Sequence, residues 1–319
     1  MSAPLLVTSS PHLRAKDTTR SIMLDVLIAL VPALGAGVWF FGLAALLPIL
    51  FAVAGSLIGE YTTRVWFLKR DNRLGDLSAV VTGVLLGMNL PPSIPLPLAF
   101  IGGIIATALI KEVFGGLGQN FMNPALAARV LLFTAWMQPM THWTLPGGAY
   151  DAVTAVTPLG ALKGLEGASA LPSYFDMFIG SIGGCMGETS ALALLIGAAY
   201  LVFRKVITLE IPLVYIGSTL LFVWVFGAKT SLFGGDVLTH LLSGGLMLGA
   251  WFMATDYSTS PVTLKGRIIY AAGMGLLTGL IRIYTNYPEG VSFAILIMNS
   301  FAPLIDRYTV PKSFGATRA

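Results

Sequence analysis

The feature that most constrains this chain is a succession of long apolar runs separated by short polar segments. A transmembrane helix requires about 20 consecutive, mostly apolar residues. Ten runs of roughly suitable length and composition lie at about 21–40, 42–60, 77–90, 95–112, 123–137, 174–203, 211–228, 236–254, 266–283 and 290–307. The sequence therefore predicts an all-α integral membrane protein with about ten transmembrane helices.

The composition supports the same class of protein. Only 11% of the 319 residues are charged, 55% are hydrophobic, and the mean hydropathy is +0.81. A water-soluble globule of this length would lack the charged surface that it needs, and the aliphatic content excludes a disordered, low-complexity chain. No small-residue cleavage pattern follows the first run, so we expect that run to be a retained helix rather than a signal peptide.

Basic residues fall almost entirely on one side of this helix pattern. Fifteen of the 19 lie before the first run, in alternate connections or in the C-terminal tail; Arg129 lies within a run, and Lys163, Lys229 and Arg282 fall on the other side. Basic residues in short loops are retained in the cytoplasm. We therefore expect a multi-pass protein of the bacterial inner membrane, with both termini cytoplasmic and the 138–172 loop periplasmic. The positive charge then marks topology, and no nucleic-acid partner is expected.

Two similar stretches suggest an internal repeat. Gly75-Asp76 and Gly235-Asp236 each precede a pair of glycine-rich apolar runs. Five helices per half, an odd number, would make the second copy inverted in the membrane, although the sequence leaves a chance similarity open. The predicted organisation is 1–137 as the N-terminal segment and first five-helix half, 138–172 as the periplasmic loop, and 173–319 as the second half with a cytoplasmic tail.

Three charged residues lie in or beside apolar runs, where a charge is costly and often functional. Arg129 lies inside the fifth run, Glu188 follows a glycine-rich interruption of the sixth, and Asp25 lies near the start of the first. Charges inside a membrane face protein or water and often mark ion pathways. Glu188 and Asp25 are predicted on a path for H⁺ or Na⁺, the alternative being a helix cap or an interfacial position. Arg129 is expected to neutralise an anionic cofactor or to pair with a carboxylate.

The chain offers little for a metal centre. Its single cysteine, Cys185, excludes an intrachain disulfide and an iron–sulfur site built from this chain's cysteines alone. The histidines His12, His142 and His240 show no metal-ligand spacing. Any redox centre is therefore expected to be organic or shared with another subunit.

The periplasmic loop contains the stretch Thr154-Ala155-Val156-Thr157, followed by Pro158. Taken without context, it is a turn-rich loop whose threonines bond their own backbone. Nearly the whole chain, however, resembles the RnfD and NqrB family of membrane subunits. The resemblance is carried by this stretch and by Ser10-Pro11-His12, Gly118-Gln119-Asn120-Phe121-Met122-Asn123-Pro124-Ala125 and Gly187-Glu188-Thr189-Ser190-Ala191. Length and helix count favour the RnfD branch.

The resemblance implies a cofactor. In this family a flavin transferase attaches FMN through a phosphoester bond to the last threonine of a hydroxyl, small, variable, threonine motif, which here is Thr157, with Thr154 as the first hydroxyl. The frequent Ser-Gly-Ala-Thr form is replaced by Thr-Ala-Val-Thr. Trp143, Arg129 and Asn123 are expected near the flavin, and a second, noncovalent riboflavin is a further expectation. A phosphoester tether would hold the flavin close while its ring is tuned by its surroundings.

The resemblance also implies a function and a set of partners. It predicts a subunit of an Rnf-type complex that passes electrons between ferredoxin and NAD and transports Na⁺ or H⁺, with the catalytic sites held by other subunits. The expected partners are RnfA, RnfB, RnfC, RnfE, RnfG, the flavin transferase and membrane lipid. A rival interpretation is a non-redox transporter or channel for small solutes, because the family is thought to share the architecture of urea transporters and two inverted halves suit solute transport equally well.

Overall fold

The computed structural model describes residues 17–71, 74–144, 146–147, 156–164, 171–228, 232–285, 287 and 290–311, and these ranges contain helices and no strand. The helices are α1 (Thr19–Phe41), α2 (Leu46–Tyr61), α3 (Ser78–Met88), α4 (Leu96–Ile104), α5 (Pro124–Ala135), α6 (Met137–Met140), α7 (Pro158–Leu162), α8 (Tyr174–Ile179), α9 (Ala191–Phe203), α10 (Glu210–Phe226), α11 (Val237–Leu242), α12 (Leu246–Leu248), α13 (Leu264–Tyr284) and α14 (Val291–Thr309). Segments of π-helix continue α2, α4 and α12 over Thr62–Phe67, Ile105–Glu112 and Gly249–Met253. The all-α prediction is confirmed.

Helices occur in all ten predicted runs, but their lengths differ from the expectation. Three segments are long and apolar enough to cross a membrane, namely Thr19–Phe41, Leu43–Phe67 and Leu264–Tyr284. The runs at 77–90 and 123–137 form α3 and α5, of only 11 and 12 residues, against about 20 for a full span. The count of ten spans and the inverted repeat therefore stay predictions, as do the domain boundaries.

Several helices are interrupted inside the bundle. The glycine pattern predicted a short helix, a break and a longer helix in the sixth run, and α8, the segment 180–190 and α9 confirm this. Gly180 has a φ of 120°, a backbone conformation that residues with a Cβ rarely adopt. Ser190 begins α9, since its side chain accepts a hydrogen bond from Ala193 N. The eighth run is likewise divided, into α11 and α12.

Two parallel helix pairs, α2 with α4 and α10 with α13, form the most extensive helix contacts. Small residues allow this close approach, as is usual between membrane helices. A Cβ atom added at Gly103 would overlap Ala52 O and lie 2.7 Å from Ser56 N. A Cβ atom at Gly275 would overlap Ser218 Oγ. The bundle is therefore closed by backbone contacts that glycine alone permits.

Replacing Gly103 by alanine is expected to destabilise the protein by about 1–3 kcal/mol, because the methyl group meets backbone atoms that cannot move aside. Gly35 is the matched control: it lies in α1 and nothing is within 4 Å of a Cβ there. Gly35→Ala should be neutral or stabilising by up to about 1 kcal/mol through helix propensity. Thermal unfolding of both variants in detergent measures the difference; equal melting temperatures would contradict the close packing of α2 on α4.

The two ends of the bundle differ in charge. At one end, Arg204 pairs with Asp25 and Arg70 donates to Gly115 O, which joins the ends of α1, α9, α2 and α4. We call this the basic end. α7 lies at the opposite end, where Lys163 binds the turn that follows α13; we call this the α7 end. The segregation of charge agrees with the pattern expected of a membrane protein.

Candidate functional site

Arg129 lies at the centre of the site. Asn123 begins α5 by accepting hydrogen bonds from Ala125 N and Leu126 N, which places Arg129 in the second turn, only 8% exposed. Its Nε donates to Asn89 O at 3.0 Å, and Nη1 donates to Ser292 Oγ at 2.5 Å. The guanidinium thus binds the carbonyl at the end of α3 and the first turn of α14.

The carboxylate partner of Arg129 is Glu188, with Nη2 and Oε1 3.4 Å apart. Glu188 is 6% exposed and lies in the 180–190 segment. The alternative of a carboxylate pair for Arg129 is therefore confirmed. Ser190, rather than Glu188, caps α9, so the helix-cap alternative for Glu188 is wrong; its role in an ion path stays a prediction.

Three chain breaks meet around this ion pair. Gly187 N donates to Met88 O at 2.8 Å, which joins the 180–190 segment to the end of α3. Cys185 is buried, and its Sγ donates to Asn89 O at 3.1 Å. A Cβ atom at Gly245, in the break between α11 and α12, would lie 3.1 Å from Glu188 Oε1. Interrupted helices around a buried charge are typical of ion and substrate sites in membrane proteins.

Two other predicted residues lie away from this pair. Asn123 Nδ2 donates to Met253 O at 3.2 Å, and the side chain lines a separate cavity that Lys111 and Asp256 also border. Asp25 is 8% exposed and accepts hydrogen bonds from Tyr200 Oη at 2.8 Å and from the Arg204 guanidinium. Asp25 therefore joins α1 to α9 at the basic end of the bundle, away from the Arg129–Glu188 pair.

Thr157 begins α7. Its Oγ accepts a hydrogen bond from Gly160 N at 3.2 Å, and its carbonyl accepts from Ala161 N. The residue is 7% exposed. Leu159, two residues on, packs against the break between α11 and α12, since its Cδ1 would lie 2.5 Å from a Cβ at Gly244. Thr154 lies outside the described residues.

Trp143 and Arg129 line the same cavity, which we call the aromatic cavity. It has a volume of about 80 Å³. Its walls are formed by Arg129, Phe133, Thr141, Trp143, Tyr287 and Phe293. The rings of Phe133 and Tyr287 meet edge to face with centroids 5.6 Å apart, a favourable aromatic geometry. The structure thus brings together two of the residues predicted near a cofactor, but not Asn123.

A second cavity at the α7 end, which we call the basic cavity, has a volume of about 550 Å³. Among its walls are Leu159, Leu162, Lys163, His240, Arg282 and Tyr284. Lys163 Nζ donates to Thr285 O and, at 2.8 Å, to Tyr287 O. Burial, and then the positive charge of Arg282, lower the pKa of Lys163. No sequence motif indicated this cavity.

Sequence reasoning also missed a charged network near the basic end. Lys111 Nζ donates to Glu60 Oε2 and to Ser78 Oγ, both at 2.6 Å, and Arg64 pairs with Glu112 at 3.0 Å. The π-helix over Ile105–Glu112 buries the consecutive residues Lys111 and Glu112 together. Buried charges need such partners. In the sequence, the adjacent residues Lys111 and Glu112 at the end of a long apolar run could have indicated this network.

No group of three or more metal-ligating side chains lies close enough to bind a metal within the part of the chain that the structure describes. What the bundle contains is a set of buried ion pairs and interrupted helices, with two cavities at the end opposite most of the basic residues. Together with the apolar spans, this defines a polytopic α-helical membrane protein with a charged interior.

Comparison with known proteins specifies the family. The model of the NQR2, RnfD, RnfE family matches residues 6–315. The D component of the Na⁺-translocating ferredoxin:NAD⁺ oxidoreductase complex of Acetobacterium woodii is 49% identical over 98% of this chain and 96% of the relative. The D component of the proton-translocating ferredoxin:NAD⁺ oxidoreductase complex of Clostridium ljungdahlii is 44% identical over the same shares. The D component of an ion-translocating oxidoreductase complex from Halorhodospira halophila is 38% identical over 98% of this chain and 96% of the relative.

The chain belongs to the NQR2, RnfD, RnfE family. The predicted resemblance to RnfD is confirmed, since the relatives compared above are all named as the D components of such complexes. The match runs over nearly the full length, so the helices, the Arg129–Glu188 centre and the segment with Thr157 all lie within it.

Proposed function

We propose that this protein is a membrane subunit of an ion-translocating ferredoxin:NAD oxidoreductase complex and that it carries FMN covalently on Thr157. The relatives' names support the electron-transport and ion-translocating parts. They favour this function over a solute transporter, since each relative is named as part of an oxidoreductase complex.

The observation that carries the flavin proposal is the position of the Thr157 hydroxyl. It lies at the start of a short helix at the α7 end, and its described hydrogen bond is the one that Oγ accepts from Gly160 N. A phosphoester at this oxygen would place the flavin beside the two cavities of that end. The flavin would supply one-electron chemistry, while this chain holds it in place and supplies its electrostatic surroundings. Because Thr157 is 7% exposed, its hydroxyl must be uncovered before a transferase can reach it.

Mass spectrometry of the natively produced protein tests the proposal. The tryptic peptide that ends at Lys163 contains both Thr154 and Thr157, and fragment ions separate the two threonines. We expect the mass of an FMN phosphoester on Thr157. An unmodified peptide from protein made together with its transferase would contradict the flavin proposal and return the solute transporter to first place.

We place the α7 end in the periplasm, and the basic end with both termini in the cytoplasm of the bacterial inner membrane. The segregation of arginine and lysine supports this orientation. The proposed partners are RnfA, RnfB, RnfC, RnfE and RnfG, with the flavin transferase acting during maturation. The α7 end would then exchange electrons with another periplasmic carrier. A noncovalent riboflavin would appear as flavin released by denaturation from a Thr157→Ala variant.

We further propose that Glu188 lies on the ion path. It is a buried carboxylate at the meeting point of three chain breaks, where backbone groups and Arg129 surround it. An ion that binds there has access to carbonyl and carboxylate oxygens, which suit Na⁺ and H⁺ alike. Asp25 is held by Arg204 and Tyr200, so its contribution to ion uptake requires release of that pair.

A further inference from the structure

We infer that the flavin on Thr157 occupies the basic cavity, with Lys163 and Arg282 providing positive charge, rather than the aromatic cavity beside Arg129. This inference rests on the proposed function. It assigns cofactor-contacting roles to Lys163, Arg282 and His240 and removes Arg129 from direct contact with the flavin ring.

The two cavities differ in volume. Pockets for small molecules commonly measure about 300–1,000 Å³. The basic cavity, at about 550 Å³, falls in that range, whereas the aromatic cavity, at about 80 Å³, does not. The aromatic side chains that line the aromatic cavity already pack on one another, with the ring centroids of Tyr287 and Phe293 5.7 Å apart. A tricyclic ring would have to displace them.

The basic cavity is lined by charged side chains that suit an anionic group. A phosphodiester carries a negative charge, and a reduced flavin is more negative than an oxidised one. Lys163 and Arg282 line the basic cavity, and Asp236 is the one carboxylate among its described walls. Asp236 is engaged at the start of α11, where it accepts from Thr239 N and from Tyr174 Oη. The walls therefore carry net positive charge, which favours an anionic occupant.

A buried polar atom of His240 also favours the basic cavity. Nδ1 of His240 is buried and has no hydrogen-bond partner among the described residues. Such an atom costs about 1–3 kcal/mol unless a ligand or water satisfies it. The edge of a flavin ring carries N–H, carbonyl and imine groups, which can donate to or accept from an imidazole nitrogen. The donor set of the cavity thus fits the group.

The basic cavity lies within reach of a flavin that is attached to Thr157. Leu159, Leu162 and Lys163 are spaced i, i+3 and i+4, so they share the face of α7 that borders the cavity. Thr157 precedes this face on the same helix. It lies six residues before Lys163, roughly 9 Å along a helix axis at 1.5 Å per residue. A ribityl phosphate chain that starts at Thr157 needs only to pass around the first turn of α7.

Redox titration of the flavin in the purified complex tests whether Lys163 supplies positive charge beside it. Lys163→Gln should make the midpoint potential of the flavin more negative, because the reduced state loses a stabilising charge. A tenfold decrease in the equilibrium constant for one-electron reduction corresponds to about 59 mV. Lys163→Arg should retain the native potential. Lys205→Gln, at the basic end, should leave the potential unchanged. A shift in Arg129→Gln together with none in Lys163→Gln would overturn the inference.

Placing a bulky side chain in each cavity in turn tests which one holds the flavin. Ala228→Trp places an indole ring in the basic cavity, and Thr141→Trp places one in the aromatic cavity. Quenching of flavin fluorescence by iodide should increase in Ala228→Trp, since the ring is displaced toward solvent, and should match the native protein in Thr141→Trp. The reverse pattern would place the flavin beside Arg129.

These outcomes separate the inference from the proposed function. A covalent fluorescent band in denaturing gels shows that flavin is attached in each variant before its potential or quenching is compared. If no variant and no native protein carries the band, the proposed function fails. If the band is present and neither Lys163→Gln nor Ala228→Trp has an effect, the assignment of the basic cavity alone is wrong.

Discussion

Replacing Thr157 by alanine is expected to remove all covalently bound flavin, which is the largest effect predicted for a single substitution. The phosphoester needs a hydroxyl oxygen, and alanine offers none. In-gel ultraviolet fluorescence of protein produced with its transferase measures the loss, because a covalent flavin survives denaturation. A fluorescent band of native intensity in Thr157→Ala would show that the acceptor is another residue.

Matched variants separate the hydroxyl from its structural role. Thr157 caps α7 through Oγ, and loss of such a cap costs about 0.5–2 kcal/mol. Thr157→Asn keeps a capping oxygen without a hydroxyl, so it should fold like the native protein and still lack the band. Thr157→Ser keeps both and should retain flavin. Thr154→Ala, at the first hydroxyl of the motif, should leave a band, since the phosphoester is placed on Thr157.

Sequence reasoning succeeded where the signal is local. Apolar runs predicted the positions of the helices, and the glycines before Glu188 predicted the break between α8 and α9. Gly180, at the start of this break, has a positive φ, which glycine adopts readily. The lengths of α3 and α5 were not predicted. Asn89 follows α3 and two prolines come soon after it, while Asn123 and Pro124 begin α5 after a turn. Hydropathy alone does not register such caps.

The site could be predicted only in part, because its contacts connect distant parts of the chain. Arg129 and Glu188 are 59 residues apart, and Lys163 and Thr285 are 122 apart. Local periodicity indicated that a charge in an apolar run needs a partner but did not identify the partner. The basic cavity arises where α7 meets the ends of α11 and α13, so its lining depends on tertiary packing that no motif in the sequence specifies.

The second large effect is expected at the Arg129–Glu188 pair. Glu188→Met leaves the Arg129 guanidinium in a buried site without its carboxylate, and removal of one member of a buried pair costs about 3–5 kcal/mol. Arg129→Met should cost a similar amount, since it leaves the Glu188 charge behind. The double variant Arg129→Met/Glu188→Met removes both charges, so its stability should return close to native. Thermal unfolding of the four proteins in detergent completes a double-mutant cycle.

The double variant also separates the structural role of Glu188 from its proposed role in ion transport. If the pair serves packing alone, a double variant of native stability should translocate ions at the native rate in proteoliposomes. If Glu188 lies on the ion path, stability should recover while ion-coupled turnover stays low, because no carboxylate remains where the three chain breaks meet. Glu188→Gln, which keeps the shape and loses the charge, should show the same slow turnover. Native turnover in both variants would remove Glu188 from the path and leave its contact with Arg129 as a packing feature of the bundle.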